Sequence, residues 1–253
     1  MPDPREIAER AERRGQLPEG ANERFAGYGV MGLPFSSGHV LALRRFPASS
    51  VGPGYTSVWH RNPEGRWTFY STVAPPHGCD RYFGSAIDHV EQCDIHIDWT
   101  GPRSFSVTVG DGTLQWEVTL APTPATRAVN TVGGLIPDPL WRQSPVLSVM
   151  GMVANRVLRA GRISLKGRTP NGQWFMSNPR LIWAIKESTA VVGGEDLGSV
   201  GPIPEQARLG DFWIPQRGIF AFGASFFQPL DPTLHLHSTP HRDLLDEKLM
   251  THE

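Results

Sequence analysis

The sequence offers little sulfur chemistry. Cys79 and Cys93 are its only cysteines. Two cysteines make no disulfide framework, so two reduced thiols are expected, although a single bridge stays geometrically open. No apolar run approaches membrane-spanning length, and the N-terminus lacks a charged segment followed by an apolar one. A soluble, cytoplasmic chain without a membrane span is therefore expected. Net charge is -1 and the pI about 6.8. That balance advertises neither a nucleic-acid partner nor an anionic membrane surface, since either would need a basic excess gathered on one face. Lysine occurs only at Lys166, Lys186 and Lys248, whereas arginine is abundant, as in a genome of high GC content. Phosphate-cradling loops, nucleotide fingerprints, paired CxxC and nucleophile elbows are all missing. Their absence disfavours kinases, Rossmann-type oxidoreductases and α/β hydrolases.

What the chain does have is turn chemistry and aromatics, with 27 Gly, 23 Pro, 8 Trp and 12 Phe in 253 residues. That suits many strands joined by many turns, with large inward-facing side chains or an aromatic pocket. A hydrophobic share of 39% is enough for a real core in one large all-β domain or two small ones. The most regular stretch runs from Gln92 to Leu120. Cys93, Ile95, Ile97 and Trp99 alternate with Asp94, His96 and Asp98. Phe105, Val107 and Val109 alternate with Ser104, Ser106 and Thr108. Leu114, Trp116, Val118 and Leu120 alternate with Thr113, Gln115, Glu117 and Thr119. Period-two alternation broken by TGPR and GDG predicts a three-stranded antiparallel meander with one apolar and one polar face.

Around it the chain divides into an N-terminal arm and closing segment (1–37), one β-domain (38–227) and a tail (228–253). A short charged helix is predicted over 3–14, loosely attached through Ile7 and the alanines, followed by a turn-rich stretch over 15–37. Strands are predicted over 38–46, 55–61 and 66–72, the last two joined by the Asn62-Pro63-Glu64-Gly65 turn. A weaker strand covers 81–90. Residues 122–139 read as a long connection. Residues 138–160 read as one helix or a kinked pair, with Asp138 as N-cap and Gly161 as stop. Strands resume at 162–167, 173–177, 181–186 and 189–192, and the last covers 219–227. A short helix ends the tail at 242–250.

This order of strands resembles the calycin barrels: lipocalins and the lipocalin-like enzymes such as carotenoid hydratases and tocopherol cyclases. The likeness is one of architecture across about residues 38–227. Where a lipocalin has Gly-x-Trp near its first strand, this chain has Gly38-His39-Val40, without the Trp, so no family residue carries over. The resemblance implies an antiparallel lipocalin-like β-barrel with an inserted helix and short terminal helices. It also implies an interior that takes an apolar small molecule.

Several constellations bear chemistry. On a strand, Asp94, His96 and Asp98 point the same way, about 7 Å apart at each step. If that face lines a cavity, His96 is the acid/base and the two carboxylates orient it. If it faces water, the three are ordinary sheet surface. Tyr55, Trp59 and Arg61 share a face, as do Arg66, Thr68 and Tyr70. Tyr55, Trp59, Arg61 and Tyr70 would suit an oxygen-bearing or carboxylate ligand. Cys79 with His77 is a weak nucleophile–base pair. Lys166 and Lys186 lie on predicted strands, where a desolvated amine could form a Schiff base as in acetoacetate-decarboxylase-like barrels, but ordinary exposed strand lysines are the stronger reading. The long loop before the last strand carries Glu205, Arg208, Asp211, Trp213 and Arg217 and points to a pocket mouth. His235, His237 and His241 have loose metal spacing.

The reading is a protein that binds and transforms an apolar small molecule by cofactor-free, metal-free acid/base chemistry of the hydratase, lyase, isomerase or cyclase type. The alternatives are a non-catalytic carrier with the same pocket, or a scaffold with a filled barrel. No nucleic-acid partner is expected.

Overall fold

The computed structural model describes residues 1–137 and 139–235. Helix α1 (Pro4–Arg14) begins on Asp3, whose carboxylate accepts from the Arg5 N–H, with Pro4 at the first helical position. It docks more firmly than its composition suggests. Ala8 is buried, and Glu12 accepts from Tyr28 Oη at 2.8 Å and from Arg45 Nε at 2.8 Å. Five strands follow: β1 (Glu23–Val30), β2 (Leu33–Pro34), β3 (Val40–Ser49), β4 (Tyr55–Arg61) and β5 (Trp67–Ser71). A single helical turn, α2 (Asp80–Phe83), leads into β6 (His89–Gln92), β7 (Ile95–Trp99), β8 (Ser104–Val109) and β9 (Leu114–Ala121). Two helices come next, α3 (Pro124–Gly134) and α4 (Ser144–Leu158). The chain finishes with β10 (Lys166–Arg168), β11 (Trp174–Val192), β12 (Glu195–Asp196), β13 (Arg208–Leu209), β14 (Phe212–Trp213) and β15 (Ile219–Phe227).

The strands build one curled, half-barrel sheet in the order β6-β5-β4-β3-β1-β15-β11-β9-β8-β7. Strand β2 is added on β3, and β10 and β12 on β11, while β13 and β14 make a separate hairpin. Neighbours are antiparallel except β5 and β6, which run parallel. The expected antiparallel lipocalin barrel is therefore corrected to a mixed sheet that is not a sequential up-and-down series. Strands β11 and β15 come late in the chain yet lie between the early strands and the meander. The two ends of the strand order are bridged by the chain itself. Cys93 N donates to Ser71 O on β5, and Asp94 O accepts from Gly110 N beyond β8. The run through β6 and β7 thus leaves one edge of the curl and enters the other.

Apolar residues fill the inside of that curl. One cluster joins Leu41 and Leu43 of β3, Val58 of β4, Val107 of β8, Trp116 of β9 and Phe220 of β15. It draws on strands from both ends of the order, so the interior is packed core. The meander forms as predicted, with Ile97 opposite Val107 and Val107 opposite Trp116. Its apolar face joins this core and its polar face is turned to solvent. The outer face of β3 and β4 is covered as well: Ala42, Trp59 and Phe69 pack with Phe83 and Ile214 in a second cluster. Glu23 ties three distant segments together, accepting from Arg81 Nη2 at 2.7 Å, Tyr82 Oη at 2.6 Å and Leu230 N at 3.0 Å.

Four stretches differ from expectation. Residues 23–30, expected among turns, are a central strand. Much of 81–90 is helical turn, because Asp80 to Phe83 cap the second cluster. The 122–139 connection contains α3, opened by a reciprocal Thr123–Thr126 capping box with Pro124 at the first position. The pieces expected between 173 and 192 form one strand, bent by bulges at Pro179/Leu181 and Ile185/Glu187. Residue 138 and the helix expected over 242–250 lie outside the described residues.

Candidate functional site: a cavity beneath the helical hairpin

Strand β3 carries two adjacent arginines, and adjacent strand residues point to opposite faces. Arg45 meets Glu12 of α1. Arg44 is directed to the other face, where it is buried and meets no carboxylate among the described residues. It donates instead to backbone carbonyls: Leu43 O at 2.9 Å, Met31 O at 3.1 Å, and Val30 O. The Val30 and Met31 carbonyls lie where β1 ends. The guanidinium stands 4.6 Å from the Trp59 ring centroid and 5.5 Å from that of Phe212. Burial lowers its pKa to about 10, so it stays charged at neutral pH. Three of the five N–H donors of this fixed cation are met by carbonyls.

Arg44 forms part of the wall of a cavity of about 120 Å³ between the sheet and the α3–α4 hairpin. Helix α4 supplies Met150, Ala154 and Leu158, α3 supplies Val129, and the connection between them supplies Trp141. The opposite wall is β1, β15 and β11. There the floor is made by Gly27 and Gly223, cross-strand partners at which no side chain fits. A methyl group on Gly27 would come 2.0 Å from Arg45 O, and one on Gly223 2.1 Å from Asn178 O. The polar groups on the wall are few. Asn178 presents a buried amide atom without a partner, and Ser164, Ser177 and Ser225 add hydroxyls. Arg180 lies 5.4 Å from the Trp141 ring centroid. Asn130 is committed to the backbone of Ile182, donating to its O at 3.0 Å and accepting from its N at 2.9 Å. Tyr28 also reaches the wall, but its hydroxyl donates to Glu12, and burial followed by that carboxylate raises its pKa. Among the described lining residues there is no carboxylate, imidazole, thiol or amine.

Of the residues singled out in the sequence, only Trp213 reaches this cavity. It lies on the wall at β14, with the Arg162 and Arg208 guanidinium groups 4.7 and 5.3 Å from its ring centroid. His96, Asp94 and Asp98 lie exposed on the outer face of the meander. The core requires the apolar alternation partners Ile95, Ile97 and Trp99 to turn inward, which sends these three out. Tyr55 is buried in the second cluster, its hydroxyl 3.2 Å from Cys79 Sγ. Trp59 stacks on Phe69 at 4.4 Å, and Tyr70 faces the interior of the curl. Arg61 sits at the end of β4, away from the cavity wall.

Cys79 and His77 do not form a pair. The thiol is buried, its pKa pushed up to about 12 by burial, while His77 Nδ1 lies 2.8 Å from Val51 O. Both cysteines are free thiols. Lys166 donates to Ser144 Oγ, and Lys186 pairs with Glu187 at 2.8 Å, both exposed on β11. In the long loop, Asp211 accepts from Arg168 N at 2.9 Å. His235 Nδ1 accepts from Asp231 N at 2.9 Å; His237 and His241 lie outside the described residues. Among the described residues no three His, Cys, Asp or Glu side chains come together as metal ligands.

Two buried polar sets stand apart from the cavity wall. His39 Nδ1 and His60 Nε2 are 2.8 Å apart in nearly parallel rings, and burial lowers both pKa values, that of His60 to about 4. Asp80, in the first turn of α2, is buried with neither carboxylate oxygen partnered, and burial raises its pKa to about 7.

No family model matches the chain, and no curated protein matches it. Among solved structures it is similar to an acetoacetate decarboxylase from Legionella pneumophila. The two share 11% identity and a TM-score of 0.34, over 84% of this chain and 86% of that one. A likeness at that level establishes neither a shared site nor a shared reaction.

Proposed function

We propose that this protein binds a compact, largely apolar organic acid in the cavity beneath α3 and α4, with the acid group on Arg44. The observation that carries the reading is the charge of Arg44. A guanidinium held in an apolar wall without a protein carboxylate is costly unless something compensates it. Carbonyl dipoles and two aromatic faces compensate it in part. A ligand carboxylate would complete the set with charge-assisted hydrogen bonds. Asn178 and the serines would orient a second oxygen function. A volume of about 120 Å³ is of the order that admits a benzene-sized body rather than a long lipid chain.

The wall favours binding over turnover. Proton transfer needs a group of suitable pKa within reach of the ligand, and among the described residues the ionisable lining groups are arginines and a tyrosine whose hydroxyl is engaged. The carrier reading therefore stands ahead of a hydratase or isomerase. Acid/base work by His96 with Asp94 and Asp98 would have to take place on the open sheet surface. The test is replacement of Arg44. Arg44→Gln is expected to weaken binding of a compact aromatic carboxylate by about ten-fold or more, with little effect on the alcohol of the same shape. Arg44→Lys, which keeps the charge but not the forked geometry, should fall between the two. Equal losses for acid and alcohol would remove Arg44 from recognition.

A further inference from the structure

The net charge of -1 conceals a strong segregation. Every charged residue from Pro139 to Lys186 is basic, and this span contains α4, β10 and the first part of β11. The hairpin of α3 and α4 lies over the sheet, with Val129, Leu147, Met150 and Ala154 turned inward. Its outer side is unusual for a helix in contact with water. On α4 the outward positions 145, 149, 152 and 156 recur at helical spacing. They read Pro145, Val149, Met152 and Arg156, and all are exposed, as is Arg159 just past the helix end. Met152 is 59% and Val149 52% accessible. Leu135, just past α3, is 80% accessible, and Val132 and Leu140 are exposed beside it. Arg127 on α3 and Arg142 before α4 are exposed too. Among the described residues none of Arg127, Arg156 and Arg159 pairs with a carboxylate.

We propose that the outer face of the α3–α4 hairpin docks on the surface of an anionic lipid bilayer. Exposed Val, Leu and Met side chains would enter the headgroup boundary, and the surrounding arginines would meet lipid phosphates. Both halves of the pattern are needed to choose this occupant. A second copy of the chain, meeting this face with the same face, would oppose uncompensated arginines to one another. A nucleic acid would satisfy the arginines and leave the apolar stripe against a polar phosphate backbone. An anionic bilayer satisfies both. Attachment would be peripheral, because no helix among the described residues is long and apolar enough to cross a membrane. The proposal does not depend on what the cavity binds. The inner side of the same hairpin walls the cavity, so docking would also bring that site close to the lipid.

The experiment is flotation of the full chain with vesicles of phosphatidylcholine alone or mixed with phosphatidylglycerol. Binding is expected only to the mixed vesicles and should fall as salt is raised. Neutralising two arginines in Arg156→Gln/Arg159→Gln should lower the affinity about 30-fold. Val149→Asp/Met152→Asp should abolish it, with the melting temperature preserved because these positions are exposed. Arg10→Gln/Arg14→Gln, on the exposed side of α1, is the charge-matched control and should bind as the parent does. Absence of binding to anionic vesicles at low salt would overturn the proposal. So would binding that the hairpin variants leave unchanged. A concentration-dependent dimer in solution that Val149→Asp/Met152→Asp dissolves would also overturn it, by assigning the face to self-association.

Discussion

Arg44 and Arg45 show how one peptide step sends two identical side chains into opposite surroundings. Arg45 finds Glu12, which raises its pKa through hydrogen bonding and charge. Arg44, on the other face, has its pKa lowered by burial. The first arginine secures α1 to the sheet, and the second leaves a cation facing an apolar cavity. Asp80 is the converse case, a buried carboxyl that no cation or side-chain donor meets among the described residues. Its folded pKa of about 7 lies above its ordinary value of 3.8, so the folded state binds its proton more tightly than the unfolded chain does. The stability associated with that proton is fully present below about pH 4 and is lost as pH rises through 7. The shift corresponds to roughly 4 kcal/mol across that window. Asp80→Asn should therefore melt higher than the parent at pH 8, with the difference shrinking towards pH 4. Urea unfolding at a series of pH values checks this, and parallel profiles for the two proteins would contradict it.

At the scale of elements, α4 matters through its inner face. Ala154 is the small residue that leaves room beside Met150 and Leu158. Ala154→Phe should fill the cavity and remove ligand binding while the sheet still forms. His96→Ala, on the outer meander, should leave binding unchanged and shift stability by no more than about 0.5 kcal/mol. Ligand titration with far-UV circular dichroism on both variants checks the pair, and the opposite pattern would move the site to the meander.

Strands with one buried face were legible in the sequence. The meander appears where alternation places it, because a period of two survives any change of partner, and the last strand appears over its aromatic run. Strand β1 was not legible. Its Gly27 and Gly29 read as turn signals, whereas they are needed for close approach to the Arg45 and Leu43 carbonyls. The hairpin helix α3 was hidden by Pro, Gly and Thr that serve as its cap and its stop. Arg44 left a signal that went unused: a doublet of arginines inside the apolar run LALRRF obliges one of them to point into whatever covers the second face.

For the whole molecule, the curl explains why the proposed binding site is not where a lipocalin-like barrel would place it. The interior is closed by Phe105, Trp116, Trp183 and Phe220, all at most 1% accessible, so the space for a ligand lies outside the sheet, under the helices. Charge is uneven along the chain as well, since every charged residue from Pro139 to Lys186 is basic. The central claim is recognition of an acid by a buried cation. Its most direct test is a calorimetric titration of the unmodified protein with a compact aromatic carboxylic acid and, separately, with the alcohol of the same shape. The account predicts that the acid binds about 10- to 100-fold more tightly, the contribution of hydrogen bonds to a charged group. Equal affinity for the two, or binding of neither, would contradict it.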